Sequence, residues 1–373
     1  MVAPRSGDAR ICYNPAVMKA VILAGGFGTR LRPLTLDTPK PIVPIFDRPF
    51  LYYQTDLLRQ VPEIDEVILS LNYRPDHIEA RVGTGTEAGV PVRYIVEPEP
   101  LGTGGAIKYA SRGIDDTILV FNGDVLTTID LQAVVRTHRE RRARATIVLT
   151  PVENPSAYGL VETDEQGNVR RFLEKPSPDE ITCDTINAGI YVLEPETFDR
   201  IPDDTHWSIE RKYFPSLVER SETFVAYIDR GYWLDIGTPA DYVRAHRDLM
   251  TQRCPLGPFA GERTATVHKA GPCDVAADAQ FDGPCFLGAG SVVGPGARIG
   301  PETVLGPGCQ VGAGAVVEHA ILWRDTIVDA ECVVRGAVLG ARCRLAHHAE
   351  IGPGVILGSD STIGAHSRVP GTR

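Results

Sequence analysis

From Phe281 onward an apolar side chain returns at every sixth residue: Phe281, Leu287, Val293, Ile299, Leu305, Val311 and Val317. Glycine directly follows Leu287, Val293, Ile299, Leu305 and Val311. After a break the series resumes at Val328 and Val334, skips one residue, and runs through Leu339, Leu345, Ile351, Leu357, Ile363 and Val369. Neither the 3.6-residue period of an α-helix nor the alternation of an ordinary strand produces that spacing. Six residues make one flat side of a three-sided coil whose aliphatic side chain points inward. The period therefore predicts a left-handed parallel β-helix over 276–373, with room for about five coils. Cys285, Cys309, Cys332 and Cys343 each lie four residues after an inward position, in a slot otherwise taken by Ser291, Ala297, Thr303 and Ala315. They read as packing residues. No two have metal-ligand spacing, and a reducing compartment would keep them as thiols, so neither disulfide nor zinc is expected. Pro255, Pro258 and several glycines mark 251–275 as the connecting segment.

The amino-terminal half is patterned differently. Val21, Ile22 and Leu23 form an uninterrupted apolar run, as a buried parallel strand requires. The run feeds into Ala24, Gly25, Gly26, Phe27, Gly28, Thr29 and Arg30. Gly25, Gly26 and Gly28 permit sharp turns and close backbone approach to an anion, so Leu23, Ala24, the three glycines and Thr29 are candidates to meet a nucleotide. Arg30 and Arg32 add fixed positive charge, and Pro39 and Pro41 restrict the backbone around Lys40, whose amine becomes a preplaced point charge. No Lys-Ser or Lys-Thr closes a Walker loop, and the glycines do not match the dinucleotide fingerprint with an acid about twenty residues on.

Between 18 and 250, short apolar runs at 66–71, 92–96, 117–121 and 146–149 alternate with helical patterns at 51–60, 103–112, 131–141 and 239–249. Such alternation predicts an α/β domain on a mainly parallel, Rossmann-like sheet, with ligands at the carboxyl ends of its strands. Two acids fall there. Asp124 closes Asn122-Gly123-Asp124, and Asp235 precedes Ile236, Gly237, Thr238 and Pro239; a hard divalent cation bridging phosphates suits such a pair. Between them Gly159, Glu174, Lys175 and Asn187 offer a backbone approach, an acceptor, a cation and an amide, groups that suit a sugar bearing one phosphate. With 373 residues, 43% hydrophobic and 23% charged, the chain has the composition of a globular protein of two domains. A net charge of −10 argues against nucleic acid and anionic membrane as partners. No stretch reaches membrane-spanning length and residues 1–17 lack the apolar core of a signal peptide, so the chain is expected in the cytoplasm. Because Met18 stands at the start of the first strand, 1–17 reads as a disordered extension or a mis-assigned start.

Taken in order, G-G-F-G-T-R-L-R-P-L-T, P-K-P, E-P-L-G-T-G-G, N-G-D, F-L-E-K-P, N-A-G and W-L-D-I-G-T-P resemble the sugar-1-phosphate nucleotidylyltransferases, most closely the mannose-1-phosphate guanylyltransferases. The resemblance covers roughly 18–373. It implies that Arg30 and Lys40 hold a triphosphate, that Asp124 and Asp235 bind Mg²⁺, and that Lys175 holds the sugar phosphate. Glu174, Asn187, Gly159 and Asn122 are implied to hold the sugar. The chemistry needs charge neutralisation and alignment rather than a base, because the attacking phosphate oxygen is already anionic at neutral pH. His77, His138 and His206 are accordingly expected to be packing or surface residues.

Glu97 bears on the base. Guanine presents two adjacent donors that one carboxylate accepts together, whereas uracil and thymine present one donor between acceptors. A Gly102 N–H beside Thr103 would meet the remaining guanine carbonyl. GTP with mannose 1-phosphate is thus the leading expectation, and thymidylyl or uridylyl transfer to glucose 1-phosphate the alternative. Two further readings are a bifunctional enzyme using His319, His347, His348 or His366 for acyl transfer, and a non-catalytic regulatory subunit. The repeats lack a long inserted loop to wall an acyl-CoA groove, and retention of Arg30, Lys40, Asp124, Lys175 and Asp235 disfavours the regulatory reading. The exposed edges of a β-helix are expected to support a homo-oligomer.

Overall fold

The computed structural model describes residues 17–261 and 267–371, and the expectation for the first sixteen residues lies outside them. The Met18–Leu23 strand runs at the centre of a nine-stranded sheet, parallel to Ile64–Leu71 on one side and to Ile118–Asn122 on the other. Its register sets Leu23 opposite both Ser70 and Asn122, so three strands end together and their loops share one crevice. Val92–Val96 continues the parallel edge. Val21 and Ile22 are fully buried, which is why an unbroken apolar run is needed there. Helices Leu51–Leu58 and Leu131–Glu140 cover one face, and Gly102–Ala110 with Phe214–Glu219 the other.

The other half of the sheet departs from the parallel expectation. Thr185–Leu193 runs antiparallel to Ile118–Asn122, and both Ala145–Pro151 and Gly159–Thr163 run antiparallel to Thr185–Leu193. A tight turn between Gly159–Thr163 and Val169–Glu174 explains part of this, since short connections join only antiparallel neighbours. The Asp164 carboxylate accepts from the Gln166 and Asn168 amides at 3.0 and 2.8 Å and fixes that turn. Among the described residues no helix is long and apolar enough to cross a membrane.

The carboxyl-terminal part is a left-handed β-helix of three six-stranded parallel sheets. Six coils are present rather than about five, because the helix starts at Val267–Lys269 and Asp274–Val275, inside the segment expected to be a connector. Lys269 stands in register with Leu287 and is exposed, and this polar residue at an inward position hides the first coil from a search by period. Inside, Leu287, Leu305, Leu322, Leu339 and Leu345 pack with Cys285, Cys309, Cys332 and Cys343, all at most 1% exposed. Burial pushes the Cys285 and Cys309 thiols up to about 12, as for small apolar fillers.

One outer face is apolar as well. Phe286, Val304, Ile321 and Val338, each the outward residue of its strand, are buried in a core shared with Leu31, Phe46, Phe50, Tyr242 and Leu249 of the amino-terminal domain. On the other two sheets the equivalent positions are mixed, with exposed Gln310, Arg344, Arg298 and Glu350 interspersed with Val292, Ile327, Val316 and Val333, none of them buried. The β-helix therefore docks through one face, and the sequence marks that face by a second stripe one residue before the inward one.

His246, on the Pro239–Met250 helix, is fixed at this junction as a neutral ring: Nδ1–H donates to Tyr242 O at 3.0 Å, and Nε2 accepts from Phe46 N at 3.1 Å. Burial lowers its pKa to about 4, and the Tyr242 carbonyl opposes that shift only weakly. The unfolded chain takes up this proton near pH 6.5 and the folded chain only near pH 4, so stability falls as the pH drops through that window. The full loss is about 3 kcal/mol. Urea titrations of the wild type and His246→Gln across pH 7 to 4 should show a shallower pH dependence in the variant; equal slopes would exclude His246 as the source.

Candidate active site

The crevice at the ends of the three parallel strands is a cavity of about 440 Å³. Every residue expected to meet the nucleotide lines it: Leu23, Ala24, Gly25, Gly26, Gly28, Thr29, Glu97, Gly102 and Thr103. Arg30, Lys40, Asn122 and Asp124 line it too. The glycine loop is drawn against the next strand by Gly123, whose N–H donates to Leu23 O at 3.0 Å; a Cβ there would sit 2.3 Å from that oxygen, so only glycine fits. Thr35 Oγ1 donates to Gly28 O at 2.7 Å and closes the loop from behind.

Glu97 is buried at 8% exposure and held at both oxygens: Oε1 accepts from Ser70 Oγ at 3.0 Å and Oε2 from Leu101 N at 3.0 Å. A carboxylate has about four lone-pair sites, so each oxygen keeps capacity for a ligand donor. Thr103 is committed within the protein. Its Oγ1 donates to Glu210 at 2.7 Å and accepts from Ile209 N at 2.9 Å, which ties the start of the Gly102–Ala110 helix to the 208–210 segment.

The two acids meet through a small antiparallel pair, Val125–Thr127 with Trp233–Asp235, in which Asp235 stands opposite Val125 and Ile236 N donates to Asp124 O at 2.9 Å. Lys40 Nζ lies 2.8 Å from Asp124 Oδ2. Asp235 Oδ1 is buried and has no hydrogen-bond partner among the described residues. Burial first, and then the Asp124 charge, push the Asp235 carboxyl up to about 6 against the pull of Lys40 and Arg30. A buried carboxylate oxygen without a donor, a second carboxylate beside it and an adjoining anion cavity fit a hard divalent cation. Among the described residues no group of three or more His, Cys, Asp or Glu forms a complete cage. Mg²⁺-type sites need none, because substrate phosphates and water complete them.

Of the residues expected to hold the sugar and its phosphate, Asn122 lines the nucleotide cavity, while Gly159, Glu174, Lys175 and Asn187 lie on the antiparallel half of the sheet and outside that cavity's lining. Gly159 stands opposite Glu174 across the ladder, and Lys175 follows with its N–H donating to Tyr158 O at 3.1 Å. Burial, then the charge of Glu210, raises the Glu174 carboxyl above its ordinary value. Tyr158 packs edge-on against Trp233, two residues from Asp235, at 5.5 Å between ring centroids. Asn187 is internally engaged, its amide donating to Tyr191 OH and its carbonyl accepting from Gly189 N, both at 2.9 Å.

Sequence reasoning missed several contributors. Ser70 orients Glu97, Asn72 and Phe27 line the cavity, and Gly237 lies under the Arg30 guanidinium. Phe27 and Gly237 belong to motifs, but the partner that Gly237 lies under is remote in sequence. His138 is buried against Thr146 and Glu194, as a packing residue. His347, His348 and His366 are exposed and pack on one another at the last coils, with centroids 4.9 to 5.6 Å apart.

This arrangement coincides with a family profile described as nucleotidyl transferase, which matches residues 19–252. The chain belongs to the nucleotidyl transferase family. Members of this family generally use a divalent metal. A second profile, described as the EIF2B subunit epsilon LbH domain, matches 264–369. Mannose-1-phosphate guanylyltransferase of Mycobacterium tuberculosis is 44% identical over 248 residues, covering 65% of this chain and 68% of its own. A probable mannose-1-phosphate guanylyltransferase 2 of Arabidopsis thaliana is 36% identical over 283 residues, 73% of this chain and 75% of its own. The crystal structure of HddC from Yersinia pseudotuberculosis complexed with GMP-PN is 34% identical, with a TM-score of 0.53, over 61% of this chain and 97% of its own.

A Cβ on Gly237 would sit 2.8 Å from Arg30 Nη1. Gly237→Ala should therefore push Arg30 out of the cavity and lower kcat/KM by roughly tenfold, about 1.4 kcal/mol of lost transition-state stabilisation. Steady-state kinetics and a thermal melt test this together: the activity falls while Tm stays, and an unchanged kcat/KM would separate Arg30 from the reaction.

Proposed function

We propose that the chain transfers a guanylyl group from GTP to mannose 1-phosphate, releasing pyrophosphate and forming GDP-mannose. The observation that carries this reading is the buried Glu97 carboxylate, fixed by Ser70 and Leu101 in a cavity whose far wall holds Arg30, Lys40 and Asp124. The names of the relatives support it. A carboxylate at the base position favours guanine over thymine and uracil, because it matches two adjacent donors.

In this reading Arg30 and Lys40 hold the triphosphate, with the glycine loop offering backbone N–H groups to its oxygens. Lys175 holds the sugar phosphate, while Asn122, Gly159, Glu174 and Asn187 surround the sugar. A phosphate oxygen of mannose 1-phosphate attacks the α-phosphorus of GTP, the bond to the β-phosphate oxygen breaks, and pyrophosphate leaves with that electron pair. No base is needed, so catalysis is alignment and charge stabilisation. Asp124 and Asp235 would hold Mg²⁺, which when bound supplies neutralisation of the phosphate charge. Residues 18–250 carry this chemistry and the β-helix supports it, in the cytoplasm.

Three variants test the assignment. Asp124→Asn or Asp235→Asn should lower turnover by ~10²-fold or more. Glu97→Gln should cost roughly 1–3 kcal/mol of discrimination for GTP over UTP. An unchanged GTP-to-UTP ratio would remove Glu97 from base recognition, and near-normal Mg²⁺-dependent turnover in both Asp variants would remove them from metal binding.

We also propose that the chain is a homo-oligomer assembled through the β-helix. Only one of its three faces is covered by the amino-terminal domain, and Val292 on another is 37% exposed. Light scattering of the full chain should give a multiple of 40.5 kDa; a monomer mass would reject the proposal.

A further inference from the structure

Lys40 reaches the cavity from the base of a small hairpin, and that hairpin is fastened to the β-helix. The short turn of helix Lys40–Ile42 leads directly into Pro44–Ile45, which pairs with Arg48–Pro49. Within this unit Val43 N donates to Lys40 O at 3.2 Å and Phe50 N to Val43 O at 2.9 Å, so the segment carrying Lys40 moves with the hairpin. At the far side, Trp323 of the β-helix donates its Nε1–H to Tyr242 OH at 2.9 Å, and that hydroxyl donates onward to Pro44 O at 2.6 Å. Trp323 and Tyr242 belong to the shared core, and Phe46 at the hairpin tip packs on Phe286 of the β-helix with centroids 4.9 Å apart.

The contact is not a clamp on every side. A second cavity of about 650 Å³ opens between the hairpin and the β-helix, bordered by Ile42, Pro44, Phe46 and Trp323. Phe46 packs at the tip, but beside this cavity the Pro44 end of the hairpin, nearer to Lys40, is held by discrete tethers as well. The Tyr242 hydroxyl is the sharpest of them, because it is fully buried and satisfies both a donor from one domain and a carbonyl from the other.

We propose that Trp323 and Tyr242 are positioning residues for the transferase reaction, through which the β-helix holds Lys40 in register with the nucleotide triphosphate. This rests on the reading of Lys40 as a triphosphate group. Neither side chain lines the nucleotide cavity, so their influence travels through Pro44 and the turn of helix that carries Lys40.

The test uses the full chain with GTP and mannose 1-phosphate, in the variants Trp323→Phe, Tyr242→Phe, Lys40→Met and each aromatic variant combined with Lys40→Met. Tyr242→Phe removes only the hydroxyl, whereas Trp323→Phe removes the N–H together with part of the indole, so the Tyr242 variant isolates the hydrogen bond and the Trp323 variant checks it from the other domain. Each single change should raise the KM for GTP by roughly fivefold and leave the KM for mannose 1-phosphate within about twofold. A general loss of folded protein would lower kcat without that split. In the Lys40→Met background the aromatic changes should add nothing further, because the group through which they act is gone. Unchanged KM for GTP in both aromatic variants, or an equal effect with and without Lys40, overturns the proposal. Wild-type kinetics in Lys40→Met alone overturns the Lys40 assignment on which it stands, and the two failures are distinct.

Discussion

The ion pair between Lys40 and Asp124 is the point where the separate parts of this molecule meet. Its 2.8 Å contact joins a hairpin docked on the β-helix to the end of a central strand of the sheet, across 84 residues of sequence. The lysine side chain is only 13% exposed and the aspartate 31%, so neither charge is fully solvated and removing one would leave the other poorly compensated. Asp124 is also bound through its backbone to Ile236, which brings in Asp235 and the Arg30 guanidinium stacked over Gly237. Phosphates entering the cavity would meet one cation, Lys40, already held in place by Asp124, and a second, Arg30, over Gly237.

That geometry requires the β-helix to be more than an appendage. A three-sided coil with polar outer faces would pass as an independent module, but one face here is as apolar outside as inside, and the amino-terminal domain covers it. The two domains therefore share a core, in which aromatic rings from the hairpin, the Pro239–Met250 helix and the coils interlock. Neutral His246 satisfies a backbone donor and a backbone acceptor within it. Rigid support of this kind suits a reaction carried by alignment rather than by acid–base chemistry.

Much of this was legible in the sequence because it is encoded locally. The six-residue period specified the coil, and the glycine loop with Arg30 and Lys40 specified one wall of the cavity. What escaped is encoded between distant positions or by weaker marks. One hairpin of the antiparallel half turns on Asp164 accepting from Gln166 and Asn168, a turn signal overshadowed by the α/β alternation. The first coil was hidden by Lys269 at an inward position. The docking stripe of Phe286, Val304, Ile321 and Val338 was present in the repeat but reads as adjacent to the stronger inward series. Ser70 on Glu97 and Gly237 under Arg30 are contacts across the fold, for which no spacing rule exists.

Substrate choice is the measurement that bears most directly on this account. Purified full-length chain with Mg²⁺ would be offered GTP, ATP, CTP, UTP and dTTP, each with mannose 1-phosphate and with glucose 1-phosphate, and scored by pyrophosphate release. The proposed placement of the base at Glu97 and of the sugar phosphate at Lys175 predicts the fastest release with GTP and mannose 1-phosphate. Equal or faster release with UTP or dTTP and glucose 1-phosphate would contradict it.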